Sequence, residues 1–90
     1  MALADRNPIV AGMISPRQIR AARALLGWSQ QLLADKAIVS VNAIARLERG
    51  EVDPRMSTLM AVHKALTEAG IEFLPADVRG EGVRLISPSS

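Results

Sequence analysis

Few side chains in this chain are of a kind that does covalent chemistry. Its single histidine, His63, stands among Met60, Val62 and Leu66, and there is no cysteine or tyrosine to complete a nucleophilic or metal-binding set. A histidine in that setting is read as structural or solvent-facing. The acids Glu48, Glu51 and Asp53 are close in sequence, but two fall in a loop beside arginines, where no rigid element sets the separation that acid–base work requires. No catalysis is expected, and no metal or cofactor; without cysteine, disulfides, zinc clusters and thiol chemistry are excluded. What remains is recognition. The basic side chains are nine arginines and only two lysines, and the planar guanidinium suits bidentate bonding to phosphate or carboxylate. A net charge of +2 is ordinary for a soluble domain, so position must decide.

The elements that would carry such groups are short helices. Ser15, Pro16 and Gln18 form a capping box with proline at the first helical position, which predicts a helix over 16–26 carrying Ile19, Ala22, Leu25 and Leu26 on its apolar stripe and closed by Gly27. Ser29 caps a second helix through about Lys36, with Leu32 and Leu33 inward, and Ser40 caps a third through about Arg49, closed by Gly50. Asp53 and Pro54 mark the start of a fourth, over about 55–69. After Gly70 the period changes to alternation in IEFL and VRLI, which predicts a hairpin with Ile71 and Phe73 on the same side as Val83 and Leu85. Residues 1–14 read as a flexible N-terminal arm, 15–70 as the helical domain, 71–86 as the hairpin and 87–90 as a disordered tail.

Residues 29–50 carry the most specific signal. Two short helices with inward Leu33, Ala34, Val39, Ile44 and Leu47, crossing at the small Ala34, make a helix-turn-helix pattern. Together with the flanking helices, the chain resembles the Cro/C1-type (XRE) family. The matching residues are Ser29-Gln30-x-x-Leu33-Ala34, then Ser40-x-x-x-Ile44-x-x-Leu47-Glu48-Arg49-Gly50, then Pro54 and Leu59, within a span from Ile19 to about Phe73. The resemblance implies a mainly α fold: a four-to-five-helix lambda-repressor-like domain, here followed by a short C-terminal β-hairpin.

It also implies roles. Gln30 matches the glutamine that reaches a phosphate and braces the reading helix. Ser40, Val41, Asn42, Ala43 and Arg46 match groove-facing positions, and Arg49 and Arg55 fall where backbone contacts flank the groove. Asparagine can pair with adenine, arginine with guanine, and an apolar side chain can pack on a thymine methyl. Arg23 and Glu48 match a pair that clamps the first helix to the third. Trp28 is expected in the core. Two features depart from the family pattern: Ile38 stands in the turn where glycine is common, so a reshaped turn is expected, and Val41, Ala43 and Ala45 leave the reading face poor in polar groups.

Two functional readings follow. One is a transcriptional regulator that binds double-stranded DNA as a homodimer on an inverted repeat, with the hairpin as the dimerisation element or, equally, as a cover for the chain's own fourth helix. The other is a protein-binding module, an antiactivator or antitoxin, that uses the apolar third-helix face. The longest uncharged apolar-biased run, about nine or ten residues, is short of the roughly 20 that span a bilayer. Neither a membrane segment nor a secretory signal is expected, and the chain is expected to be cytoplasmic.

Overall fold

In the computed structural model, residues 14–51 and 55–86 are described. They form helices α1 (Pro16–Leu26), α2 (Gln30–Ala37), α3 (Val41–Glu48) and α4 (Met56–Glu68), then strands β1 (Ile71–Leu74) and β2 (Gly82–Leu85). The fold is mainly α with a two-stranded antiparallel sheet.

Each of the first three helices starts where its sequence offers an acceptor. Ser15 accepts from the Gln18 N–H while the Gln18 side chain accepts from the Ser15 N–H, so the capping box is complete. Ser29 and Ser40 accept from Leu32 N and Ala43 N, a substitution-sensitive contact of about 1 kcal/mol each. Helix α1 ends at Gly27, whose φ of 71° is open to glycine at no steric cost. Helix α4 begins without a side-chain cap, on Arg55; the start signal at Asp53 and Pro54 lies outside the described residues.

The turn between α2 and α3 was expected to change shape to spare Ile38, and it does not. Ile38 takes the left-handed conformation itself, φ 60° and ψ 51°, and the Val39 N–H closes back on the Ala34 carbonyl at 3.0 Å. A β-branched residue there costs on the order of 1–2 kcal/mol, and Ile38 regains none of it by burial, being 88% exposed. Tertiary packing of the helix pair overrides the local preference.

The core joins all four helices and β1 through Ile19, Ala22, Leu33, Ala34, Ile44, Leu47, Val62, Leu66 and Ile71. Ile19, Leu33, Ile44 and Leu66 are fully buried, each worth roughly 1.5–3 kcal/mol of transfer free energy. Ala34 is buried on α2, the helix that packs on α3. Trp28 is half-buried against this core, with the Lys36 ammonium 5.7 Å from its ring centroid. Two leucines correct the sequence reading: Leu25 and Leu32 extend the apolar stripes of α1 and α2 beyond the width that neighbouring helices cover, and both are exposed. Ile14, assigned to the arm over 1–14, is buried in the core because an apolar residue just before the α1 cap packs back on the helices. The other arm residues, 1–13, and the tail 87–90 lie outside the described residues.

In the hairpin Ile71 pairs with Leu85 and Phe73 with Val83, so these four share a face, and that face packs on the helices. Strand β2 lies against α1 and β1 against α4, where Phe73 stacks on His63 with ring centroids 5.2 Å apart. The cover therefore extends to α1 as well as to the fourth helix. Burial lowers the His63 pKa from its usual value, which favours the neutral ring.

Candidate nucleic-acid interface

Helix α3 is held from behind by one carboxylate. Glu48, at the last helical position, has a side chain only 4% exposed. It accepts two hydrogen bonds from Arg23, Nε to Oε2 at 2.6 Å and Nη2 to Oε1 at 2.9 Å, and a third from Gln30 Nε2 at 2.9 Å. The remaining Arg23 nitrogen, Nη1, donates to the Trp28 carbonyl at 2.9 Å, and Arg20 Nη1 donates to the Glu48 backbone carbonyl. Burial by itself would raise the Glu48 carboxyl. The hydrogen bonds from Arg23 and Gln30 and the charges of Arg23 and Arg20 outweigh it and hold the pKa below the usual carboxylate value. Hydrogen bonding to Glu48 likewise raises the Arg23 guanidinium above its ordinary value. A carboxylate so fully satisfied offers nothing to a ligand. It ties α1, α2 and α3 together.

What α3 presents outward follows from about 100° of rotation per residue. Ile44, Leu47 and Glu48 point inward and are buried. Opposite them, Asn42, Arg46 and Arg49 share the centre of the exposed arc, with Val41 and Ala45 on one flank and Ala43 on the other. Val41, Asn42, Arg46 and Arg49 are exposed, and Ala43 and Ala45 half-buried. The apolar face read from the sequence is therefore two flanks around a polar centre. Ser40 is exposed at the N-terminus of α3, but its oxygen already accepts from Ala43 N, which leaves its hydroxyl proton as the free donor. Gln30, at the first position of α2, is half-buried and joined to α3 through Glu48.

Arg55 stands apart, exposed at the start of α4, and no carboxylate among the described residues is within ion-pair distance of it. Arg49 and Arg46 do have such a neighbour: Glu51 accepts from Arg49 Nη2 at 2.7 Å and from Nε at 3.0 Å, and lies 4.0 Å from Arg46 Nε. That contact was missed from the sequence, although a carboxylate two residues after Arg49 is a readable signal.

Gly50 sets the relation of this surface to α1. Its φ is 76°, and a Cβ there would meet Pro16 Cγ at 3.7 Å, so the end of α3 abuts the start of α1. Among the described residues no group of three or more His, Cys, Asp and Glu is placed to hold a metal, and no helix is long and apolar enough to cross a membrane. The arrangement is one of donors on a convex helix: two guanidinium groups and a carboxamide can form bidentate hydrogen bonds to base edges or phosphates, flanked by apolar groups of the size of a methyl contact.

A helix-turn-helix family model matches residues 19–69, more than half of the chain. No curated protein matched it.

Proposed function

Since the chain belongs to the Cro/C1-type (XRE) helix-turn-helix family of DNA-binding regulators, we propose that it acts as a homodimer on an inverted-repeat operator, with α3 in the major groove. The observation that supports this reading is the outward arc of α3. Asn42 and Arg46 are the base readers, Val41 and Ala43 pack on thymine methyls, and Ser40 donates at the groove edge. Gln30, Arg49 and Arg55 contact the backbone and set register without sequence information. Two copies are needed because one eight-residue helix reads too few bases for genomic selectivity. Half-site centres then fall about one helical turn apart, roughly 10 base pairs. The outer edges of a two-stranded sheet are the surface on which the second copy pairs.

The test is a titration of labelled duplex from the gene's own upstream region, beside an unrelated duplex, at two salt concentrations. Affinity should favour the upstream duplex and fall steeply with salt. Asn42→Ala and Arg46→Ala should each weaken specific binding by about 1–3 kcal/mol, and Arg55→Ala should weaken binding to both duplexes alike. Unchanged specific affinity for Arg46→Ala would remove α3 from the groove.

A second reading has one observation in its favour. Ile38 in the turn and Val41 at the start of α3 are both exposed apolar residues, a surface suited to docking on a transcription factor or toxin. It predicts negligible DNA binding at either salt and loss of partner capture in Val41→Glu.

A further inference from the structure

The surface assigned to DNA carries a carboxylate of its own. Glu51 follows the glycine that closes α3, and its backbone N–H donates to the Arg46 carbonyl at 3.1 Å, which fixes it to the last turn of the helix. Its side chain holds Arg49 through two hydrogen bonds, at 2.7 and 3.0 Å to the same Oε2, while its other oxygen is 4.0 Å from Arg46. All three side chains are exposed. One acid thus sits between two of the cations that the DNA-binding reading assigns to the groove and its backbone.

We propose that Glu51 is an internal competitor for phosphate that sets the overall affinity of this surface for duplex DNA, a role that rests on the DNA-binding reading above. A carboxylate and a phosphate offer a guanidinium the same paired acceptors. For Arg49 to take a phosphate it must give up Glu51, whose negative charge is then left beside the polyanion. The exposed pair is weak, so the competition is mild and reversible rather than a lock. Arg46 stands at the limit of ion-pair distance, so the restraint falls mainly on Arg49. Because Arg49 is assigned to the backbone, the restraint acts almost equally on all sequences.

The experiment compares the full chain with Glu51→Gln, Arg49→Ala and the double variant, titrated with the upstream duplex and an unrelated duplex of equal length at two salt concentrations. Matched melting curves establish that these surface changes leave the fold intact. Glu51→Gln should bind both duplexes roughly three- to tenfold more tightly, with a salt slope steeper by up to about one. In the Arg49→Ala background the part of that gain that comes from freeing Arg49 should vanish, leaving a smaller part carried by Arg46 and by removal of the Glu51 charge from beside the polyanion. If the wild-type chain binds with the expected salt dependence and Glu51→Gln binds no tighter, the competitor role is overturned and the DNA-binding reading stands. A gain of full size in the Arg49→Ala background also overturns it. Absence of wild-type binding to either duplex at both salts removes the DNA-binding reading, and the competitor role with it.

Discussion

Helix α1 is gripped at two places, and the grips use polar groups in opposite ways. Toward its C-terminal half, Arg23 reaches the buried carboxylate at the end of α3, whose every bond is charge-assisted, and Arg20 donates to the backbone carbonyl of the same Glu48. At its N-terminal end the partner is the hairpin. There the buried Gln18 donates through one nitrogen to the carbonyls of Leu74 and Gly82, at 3.0 and 2.9 Å, while Glu81 accepts from Ser15 Oγ and Arg17 Nε at the surface. The first grip puts a carboxylate inside, paired with a largely covered guanidinium. The second puts a neutral amide inside and leaves the charges in water. Removal of one member should therefore be far more damaging in the first grip than among the exposed ions of the second, because desolvated charge without a partner is the costliest state for a polar group.

The largest effect is expected at Glu48. Glu48→Ala leaves Arg23 facing Trp28 and Gln30 with no counter-charge, at a cost of about 3–5 kcal/mol, a large share of what a domain of this size has in total. Chemical denaturation of Glu48→Ala beside Glu48→Gln measures it, the amide keeping one oxygen that can still accept from Gln30 and Arg23 Nη2 but losing the charge and the acceptor for Arg23 Nε. The same site contributes to the acid limb of stability. The folded carboxyl lies below its ordinary value of 4.5, so its contribution is complete above that value and is lost as pH falls through the folded pKa. The melting temperature should be level near neutrality and drop in acid below about pH 4.5, with a shallower drop in Glu48→Gln. Equal acid limbs in the two proteins would place the loss elsewhere.

Gln18 comes next. Gln18→Ala should cost about 1–3 kcal/mol, the penalty of leaving two strand carbonyls and the Ser15 N–H without their amide partner. The loss should be local. Hydrogen exchange would quicken in β1 and β2 while α2 and α3 keep their protection. If the strands remain as protected as before, the packing of Ile71, Val83 and Leu85 is what holds the hairpin, and the amide adds nothing.

These two grips were not equally legible in the sequence. Helix starts at Ser15, Ser29 and Ser40 and the shared face of Ile71 and Phe73 depend on neighbours in the chain, and the capping residues and the alternation expose them directly. The pairing of Arg23 with Glu48 is a contact between residues 25 apart and became visible only through the resemblance of LERG and its flanking helices to a known family. Gln18 illustrates what was hidden: its role in the capping box was readable, but its second nitrogen-to-carbonyl contacts join residues 56 and 64 positions away, and no local pattern encodes them. Leu25 and Leu32 failed for a related reason, since periodicity marks an apolar stripe and not how wide a neighbour will cover it. On α3, Val41, Ala43 and Ala45 do not form one face, because helical rotation places Asn42, Arg46 and Arg49 between Ala43 and the other two.

The smallest effect belongs to the outermost pair. Arg17 is 70% exposed and its bond to Glu81 is short, 2.5 Å, yet in water such a pair gains little over two solvated ions and is screened further by salt. Glu81 keeps a second donor, Ser15 Oγ at 3.1 Å, and sits beside the N-terminus of α1, where a negative charge is favoured by the helix dipole. Its carboxyl is held below the usual value first by the hydrogen bond from Arg17 and then by that from Ser15. Arg17→Ala should thus leave the melting temperature unchanged at about 0.15 M salt, with the Glu81 carboxyl titrating closer to its ordinary value by NMR. A loss as large as that of Gln18→Ala would mean that the surface ions hold the hairpin, and the contrast between the two grips would fail at that end of the helix.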